Sequence, residues 1–382
     1  MSTRFTVTGQ SLHSLSDSPL VVGLFDTASG TALGSATVAR AETVLPPRAV
    51  ASGEQGLHTS LALTRFHLTP NAPRGAAAVL AYAALRGGRA LGRTAVVVTP
   101  ESTEPGVVNL LALSPLPGDA GLKAGRLDIA LHRTATQAEA QGEALLPRFL
   151  VHEVTETVRH YVGQVMNTGF FRAVTDGLLS REQYIHVLSQ THQYVRYTTR
   201  ILGLCVAHSQ QTELRDHFLQ HLKEEIHHEQ IIEKDLSHLG ADPLYVRDAM
   251  APNGATNQFI LAELALISYY QDPLLLTAAP LAAEGLSAHL TQEWMARLEH
   301  LVASWGIQEP GRATRFLASH IDFDGGEDGH LEGSMRVLEK YLVDEKHLRQ
   351  YLAAFQACAG SLARCYAASV EETALWAAPR ER

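Results

Sequence analysis

A short stretch near the middle of the chain is dense in histidine and carboxylate side chains. It contains His217, His221, Glu224, Glu225, His227, His228 and Glu229. On an α-helix, His221, Glu225 and His228 occupy positions i, i+4 and i+7 and therefore share one face. Glu225-x-x-His228 has the helical spacing with which bundle proteins hold carboxylate-bridged pairs of iron or manganese ions. The stretch indicates either a metal site or a solvated, charged helix face.

A lone carboxylate is the second candidate. Glu284 lies in the stretch 274–286, which contains no other charged residue. An ionised carboxylate in apolar surroundings is costly unless it is paired or bound to a metal. Glu284 is therefore expected to be a metal ligand, unless it faces solvent on an amphipathic helix.

A third group of candidates follows in the segment that contains His320 and Asp324, which are one helical turn apart. Glu327 and His330 come next. Each of the three glycines between Asp324 and His330 disfavours helix by about 1 kcal/mol relative to alanine, so this segment is expected to be irregular. The alternative is an acidic loop that binds Ca²⁺ or nothing, although the ligand spacing of an EF-hand is absent.

In this order, the three groups resemble the haem-oxygenase-like di-iron oxidases and oxygenases. The resemblance rests on Glu225-x-x-His228 followed by EQIIEKDLSHLG, on Glu284 and on His320-x-x-x-Asp324. It covers about residues 145–375. It implies a helical bundle with two Fe²⁺ ions as cofactor and O₂ as co-substrate.

The resemblance also implies the ligands, with Glu284 as the bridging carboxylate. The implied set is Glu225, His228, Glu284, His320, Asp324 and a sixth residue. The family usually has a histidine three residues after the aspartate, where this chain has Glu327. His330 or Glu327 is therefore the sixth ligand, and His221 and Glu224 are reserve ligands.

The reactions that the resemblance implies are N-oxygenation, desaturation or oxidative C–C cleavage of an amino-acid-like or fatty-acid-like metabolite. His192 and Tyr269 are candidates for substrate contact. His192 is also a haem ligand in the haem-oxygenase variant of the hypothesis, and Tyr269 is otherwise an ordinary aromatic core residue.

Other functions remain open on the same scaffold. One is a cofactor-independent enzyme similar to pyrroloquinoline quinone synthase. Another is a thiaminase-like enzyme, for which Cys205 is the candidate nucleophile, although it lies among apolar residues. The last is a non-catalytic helical interaction module with surface histidines.

The elements that carry these residues follow from hydrophobic periodicity. At 382 residues, the chain is expected to form two domains. Short β-rich runs predict an N-terminal antiparallel β-sandwich-like domain over 1–135; they are 5–7, 20–25, 60–68, 78–84, 95–99, 107–113 and 127–131. Residues 136–144 read as a linker.

An all-α domain is predicted over 145–382. Its helices are 147–165, 181–208, 213–239, 257–270, 273–289, 291–305, 313–323, 331–342 and 345–378. Ser180 and Gln183 form a capping box before the second helix, and Gly240 is placed to end the third.

Composition limits the classes of molecule that the chain is expected to bind. The chain is 46% hydrophobic and 19% charged, with a formal net charge of −9 and a pI near 6.1. No basic stripe suited to nucleic acid is present, and neither a secretory signal nor an apolar run of bilayer length is seen. Three cysteines without zinc spacing fit a reduced, cytoplasmic compartment. A small-molecule substrate is expected, and a homodimer is left open.

Overall fold

The computed structural model describes residues 5–9, 19–26, 28–41, 60–90, 93–99, 105–116, 119–141, 147–324 and 330–377. The chain divides into two compact units. The first comprises Met1–His160 and Val343–Leu348, and the second comprises Tyr161–Leu342 and Arg349–Arg382. A β-rich N-terminal part followed by a helical part is therefore confirmed.

The first unit contains one mixed sheet. Its strands are β1 (Phe5–Gly9), β2 (Leu20–Asp26), β3 (Ala32–Arg40), β4 (Ser60–Leu68), β5 (Ala95–Val98), β6 (Ser114–Leu116) and β7 (Asp119–Arg126). Their order in the sheet is β1-β2-β3-β4-β5-β7-β6. Only the β4–β5 pair is parallel among the described pairs. The finer expectation of two facing antiparallel sheets is corrected to this single sheet.

Three helices in this unit replace predicted strands. They are α1 (Ala76–Ala90), α2 (Pro105–Leu110) and α3 (Leu127–Ala140). Helix α1 is rich in alanine, which has the highest helix propensity, and it connects the parallel strands β4 and β5, which cannot be joined by a tight turn. Helix α3 continues through most of the predicted linker, because Leu127, Leu131, Thr134 and Ala138 recur at helical spacing and are buried.

The core of the first unit lies on one face of the sheet. Leu61, Leu63 and Val96 from this face pack with α1 and with Leu127 and Leu131 of α3. A smaller apolar cluster on the opposite face contains Ala62, Val97 and Leu122. The helices therefore bury one side of the sheet in place of a second sheet.

A buried ion cluster also holds the first unit together. Arg89 of α1 donates to Glu153 at 2.6 Å and to Glu345 at 2.5 Å, and the Tyr82 hydroxyl donates to Glu345 at 2.6 Å. Because each carboxylate shares the same guanidinium, three segments far apart in sequence are joined in one place.

The second unit begins within α4 (Pro147–Val165), at Tyr161. Its helices continue with α5 (Gly169–Thr175), α6 (Arg181–His208), α7 (Thr212–Glu224), α8 (His228–His238), α9 (Pro243–Asp248) and α10 (Gly254–Ala265). A π-helical turn follows at Leu266–Tyr270. The remaining helices are α11 (Pro273–Leu276), α12 (Ala278–Ser287), α13 (Gln292–Ser304), α14 (Pro310–Ala313), α15 (Arg315–Asp324), α16 (His330–Tyr341) and α17 (Glu345–Ala377).

The helix predictions agree closely in several places. Helices α4 and α6 have the predicted bounds, and Ser180 and Gln183 form the predicted reciprocal capping box. Gly240 follows α8 with φ of +73°, a left-handed conformation that glycine adopts without strain. The continuous helix predicted over 213–239 is wrong, because the chain breaks between α7 and α8.

None of the helices that the structure describes is both long enough and apolar enough to cross a bilayer.

Candidate metal centre

The break between α7 and α8 places Glu225 at a turn and not within a helix. Glu225 caps the end of α7, and its N–H donates to the carbonyl of His221 at 3.0 Å. His227 has φ of +75°, which is uncommon for a residue with a side chain. Such strain persists only where the surrounding structure imposes it, and it is found most often at functional sites.

The two oxygens of Glu225 face two different histidines. Oε1 lies 3.7 Å from His221 Nε2, and Oε2 lies 3.1 Å from His228 Nδ1. All three side chains are at least nine-tenths buried. A carboxylate that offers one oxygen to each side has the disposition of a ligand bridging two metal ions.

Two groups of potential ligand atoms share this carboxylate. One group is His221, Glu225 and His330, and the other is Glu225, His228 and His320; within each group the atoms lie within 4.8 Å of one another. The ring centroids of His221 and His330 are 4.8 Å apart, and those of His228 and His320 are 5.0 Å apart.

Glu284 joins the first group from α12. Its Oε1 lies 3.0 Å from His221 Nε2 and 3.9 Å from His330 Nδ1. Its Oε2 is buried and accepts no hydrogen bond from the residues that the structure describes. Such an oxygen is suited to a cation. The carboxylate common to both groups is Glu225, whereas the resemblance gives the bridging place to Glu284.

His320 is oriented by its own helix. Its Nδ1 lies 2.8 Å from the carbonyl oxygen of Phe316. Because a carbonyl only accepts, Nδ1 carries a proton, and Nε2 is the ring nitrogen with which His320 would bind a metal. Metal-binding histidines are commonly fixed in this way.

Burial and neighbouring charges oppose each other in setting the pKa values of His221 and Glu225. Burial lowers the pKa of His221, but Glu284 and Glu225 outweigh it and raise that pKa to about 10. Burial raises the pKa of Glu225, but the neighbouring imidazoles of His221 and His228 bring it well below its usual range. Protons therefore occupy places where a metal would have to displace them.

The other predicted ligands have different positions. Glu224 is exposed, and its Oε2 lies 2.7 Å from His330 Nε2. Asp324 ends α15, one turn after His320, and its side chain is not among those described. Glu327 lies outside the described residues.

The structure does not bring the predicted substrate-contact residues to the cluster. His192 is buried with Nε2 3.2 Å from Glu233, and it lines a different cavity together with Arg196 and Arg247. Tyr269 is 81% exposed and packs edge-on against Tyr270. Neither lines the cavity beside the cluster.

That cavity has a volume of about 100 Å³. His221, Glu225, Glu284 and His320 line one part of it, and most of the remaining wall is apolar or aromatic. Phe171 and Tyr366, whose ring centroids are 4.9 Å apart, belong to this wall. A mainly apolar cavity with a few convergent polar groups is typical of a small-molecule site.

Sequence analysis assigned no role to two residues here, the half-buried His217 and the buried Glu263. His217, one turn before His221, has an Nε2 atom without a hydrogen-bond partner among the described residues. Burial, and then His221 and His330, lower its pKa to about 4. Glu263 of α10 lines the cavity. The signal that identified Glu284, a single carboxylate in an apolar stretch, also applies to residues 259–267 around Glu263.

Asp235 connects the two helices of the second group. It is fully buried in α8, which carries His228, and its Oδ2 accepts the Phe316 N–H at 2.9 Å at the start of α15, which carries His320. Burial raises the pKa of Asp235 to about 7, although the Phe316 hydrogen bond and Arg315 lower it. Asp235 is thus a positioning residue for His320.

Asp235→Asn is expected to remove a pH-dependent loss of stability. The unfolded carboxyl group ionises near its ordinary pKa of 3.8, whereas the folded one keeps its proton to about pH 7, so the native state loses stability as pH rises between these values. Asparagine keeps an acceptor for Phe316 and carries no charge. Between pH 4 and 8, the unfolding temperature of the variant should rise relative to that of the native protein. The rise should be about 2–4 °C for each kcal/mol by which ionisation of Asp235 destabilises the native protein. A difference that is constant across this pH range would contradict the expectation.

No family model matches the chain, and no curated protein matches it. Among solved structures, it is similar to a domain of unknown function with a heme oxygenase-like fold from Shewanella denitrificans OS217. The identity is 18% and the TM-score is 0.52, with 61% of this chain and 97% of that chain covered. The helical part therefore has a haem-oxygenase-like fold, which confirms the fold that the resemblance implied.

Two further structures are more distant. A TenA homolog from Pseudomonas syringae pv. tomato str. DC3000 is 13% identical with a TM-score of 0.45, over 55% of this chain and 88% of that chain. A CADD-like protein of unknown function from Nostoc punctiforme PCC 73102 is 15% identical with a TM-score of 0.45, over 60% and 98%.

Proposed function

We propose that this protein, whose helical part has a haem-oxygenase-like fold, is a non-haem di-iron enzyme that uses O₂ to oxidise a small metabolite. The observation that carries the proposal is the buried Glu225 carboxylate, which faces His221 with one oxygen and His228 with the other. Histidine nitrogen and carboxylate oxygen form a donor set that suits iron. Iron bound there supplies the electrons with which O₂ is reduced.

The residues of the chain would have three roles: binding the metal ions, orienting a ligand and enclosing the substrate. Glu225 would be a ligand at both positions. His221, His330 and Glu284 would be the other ligands at one position, and His228 and His320 those at the second. The Phe316 carbonyl keeps His320 in the orientation that presents Nε2. The apolar wall of the cavity excludes water and holds the substrate beside the ligands.

The thiaminase-like alternative requires a reactive cysteine. Cys205 is buried, and its thiol donates to the Ile201 carbonyl at 3.1 Å. Burial, and then Glu263, raise the pKa of this thiol well above its usual range, whereas a nucleophilic cysteine needs a lowered pKa. The interaction-module alternative requires surface histidines, but His221 and His228 are buried. The dinuclear hypothesis is therefore preferred.

Metal analysis tests the proposal directly. Protein produced with iron and purified without oxygen is expected to contain about two irons per chain, and to consume O₂ when its ferrous form is exposed to air. Full activity of metal-free protein would support a cofactor-independent enzyme and overturn the proposal.

His320→Ala separates the two metal positions. Because His320 belongs to one ligand group and not to the other, the variant is expected to retain about one iron per chain and to lose O₂ consumption. Its far-UV circular dichroism should be unchanged, since the ring hydrogen-bonds to the Phe316 carbonyl within its own helix and alanine has a high helix propensity. Retention of two irons and full O₂ consumption would contradict the assignment.

A further inference from the structure

Glu263 is a buried carboxylate that the metal centre does not use. It lies on α10, is 8% exposed, and lines the same cavity as Glu225 and Glu284. Its side-chain carboxyl group makes no hydrogen bond or ion pair with any residue that the structure describes. An ionisable group in this position costs stability unless something outside the chain compensates for it.

The surroundings of Glu263 indicate what that compensation would be. Phe259 lies one turn earlier on the same helix and also lines the cavity. Its ring centroid is 5.3 Å from that of Tyr194, and the Tyr194 hydroxyl lies 3.1 Å from that of Tyr366. Aromatic faces beside a carboxylate form an environment that attracts an organic cation.

The charge of the cavity wall also favours a cationic ligand. Its described lining residues include three carboxyl groups, Glu225, Glu263 and Glu284, and no lysine or arginine; the two lining histidines, His221 and His320, belong to the metal centre. An anionic group entering the part of the cavity lined by Glu263 would meet no cationic side chain. A cationic group would meet a carboxyl group that has no cationic partner among the described residues.

We infer that Glu263 binds the protonated amino group of the substrate, so that the substrate is an amine with an otherwise apolar body. The inference rests on the proposed function for its claim that the cavity holds a substrate, and it adds the chemical class. Glu263 is a binding residue at the wall of the cavity. The rest of the substrate extends from it, so that the carbon or nitrogen to be oxidised lies beside the metal ligands.

The titration of Glu263 is consistent with an empty site. Burial raises its pKa to about 8. Two thiols face it, Cys205 of α6 and Cys358 of α17, and burial followed by the charge of Glu263 raises the pKa of both well above the usual range. Both thiols are therefore neutral near pH 7. A bound ammonium group would favour the ionised carboxylate, so binding is expected to release a proton.

Binding of three probes of equal length to the metal-free full-length protein tests the inference. By isothermal titration calorimetry at pH 7, n-octylamine is expected to bind about tenfold more tightly than n-octanol, and n-octanoate more weakly than either. Glu263→Gln should abolish the preference for the amine and the proton release, which is seen as a dependence of the heat on the buffer. Equal binding of the amine and the alcohol, or a preference that persists in Glu263→Gln, would overturn the inference.

Glu284→Gln is the matched control, because it removes a carboxylate from the same cavity at the metal centre. It should keep the preference for n-octylamine. Loss of the preference in this variant alone would place the amine at the metal ligands and would overturn the role of Glu263. Since binding is measured without metal, and the iron content of Glu263→Gln is expected to equal that of the native protein, failure of the metal proposal is distinguishable from failure of this one.

Discussion

Glu225→Ala is expected to empty both metal positions at once. Glu225 is the one residue common to the two ligand groups found among the described residues, and each of its oxygens faces a different histidine. Iron content should fall from about two per chain to nearly none, and O₂ consumption should disappear. Metal analysis of the purified variant measures the first effect, and an oxygen electrode measures the second.

Glu229→Ala is the control for this variant. Glu229 lies in the first turn of α8, half-buried, and its carboxylate is 4.0 Å from the exposed His227. It carries the same charge as Glu225 and belongs to neither ligand group. This variant should keep its iron. If Glu225→Ala retained one iron, the two positions would not share a carboxylate, and the dinuclear arrangement would be wrong.

A loss of folding in Glu225→Ala would be a separate effect. The substitution leaves the buried His221 without the nearest carboxylate of its own segment, although Glu284 remains. Glu225→Gln keeps the side-chain volume and tests the loss of charge alone. Far-UV circular dichroism and the unfolding temperature of both variants show whether missing iron reflects a missing ligand or an unfolded chain.

The sequence analysis grouped residues that lie close together in the structure, but it predicted the wrong local structure around them. His221, Glu225 and His228 do converge, although not on one helix face, because the chain leaves the helix at Glu225 and adopts a left-handed conformation at His227. Neither glycine nor proline marks this break. The prediction of a continuous helix followed local propensity, which does not register the contact of His221 with Glu284 of α12.

Apolar context proved informative for carboxylates. Glu284 was identified because it is the only charge in its stretch, and it lies 3.0 Å from His221. Glu263 has a similar context, but no histidine or second carboxylate lies beside it in the sequence. Its position on the cavity wall follows from the packing of α6 and α10, which sequence periodicity does not provide.

The N-terminal unit was predicted less accurately, for a different reason. Apolar runs in this unit alternate with turn residues whether they form strands or short helices, and length alone does not separate the two. The alanine content of residues 76–84 was the signal that favoured helix α1. Its role in connecting the parallel strands β4 and β5 depends on a pairing between distant residues.

Filling the cavity is expected to separate substrate binding from metal binding. Thr198 of α6 is half-buried and lines the cavity, and no proposed ligand lies on α6. Thr198→Phe puts an aromatic ring into the space that an apolar substrate would occupy. The variant should bind n-octanol about tenfold more weakly by calorimetry and should retain its iron, so that substrate-dependent O₂ consumption is lost although the metal centre is complete.

Thr199→Phe provides a closely matched comparison. The adjacent residue is also half-buried, but because consecutive helical side chains point in different directions, it lines the cavity that contains His192. It should bind n-octanol as the native protein does. A neutral probe keeps this test independent of Glu263. Equal binding of n-octanol by both variants would mean that apolar ligands do not enter the cavity beside Glu225, and the metal centre would then have to act on a substrate that approaches from elsewhere.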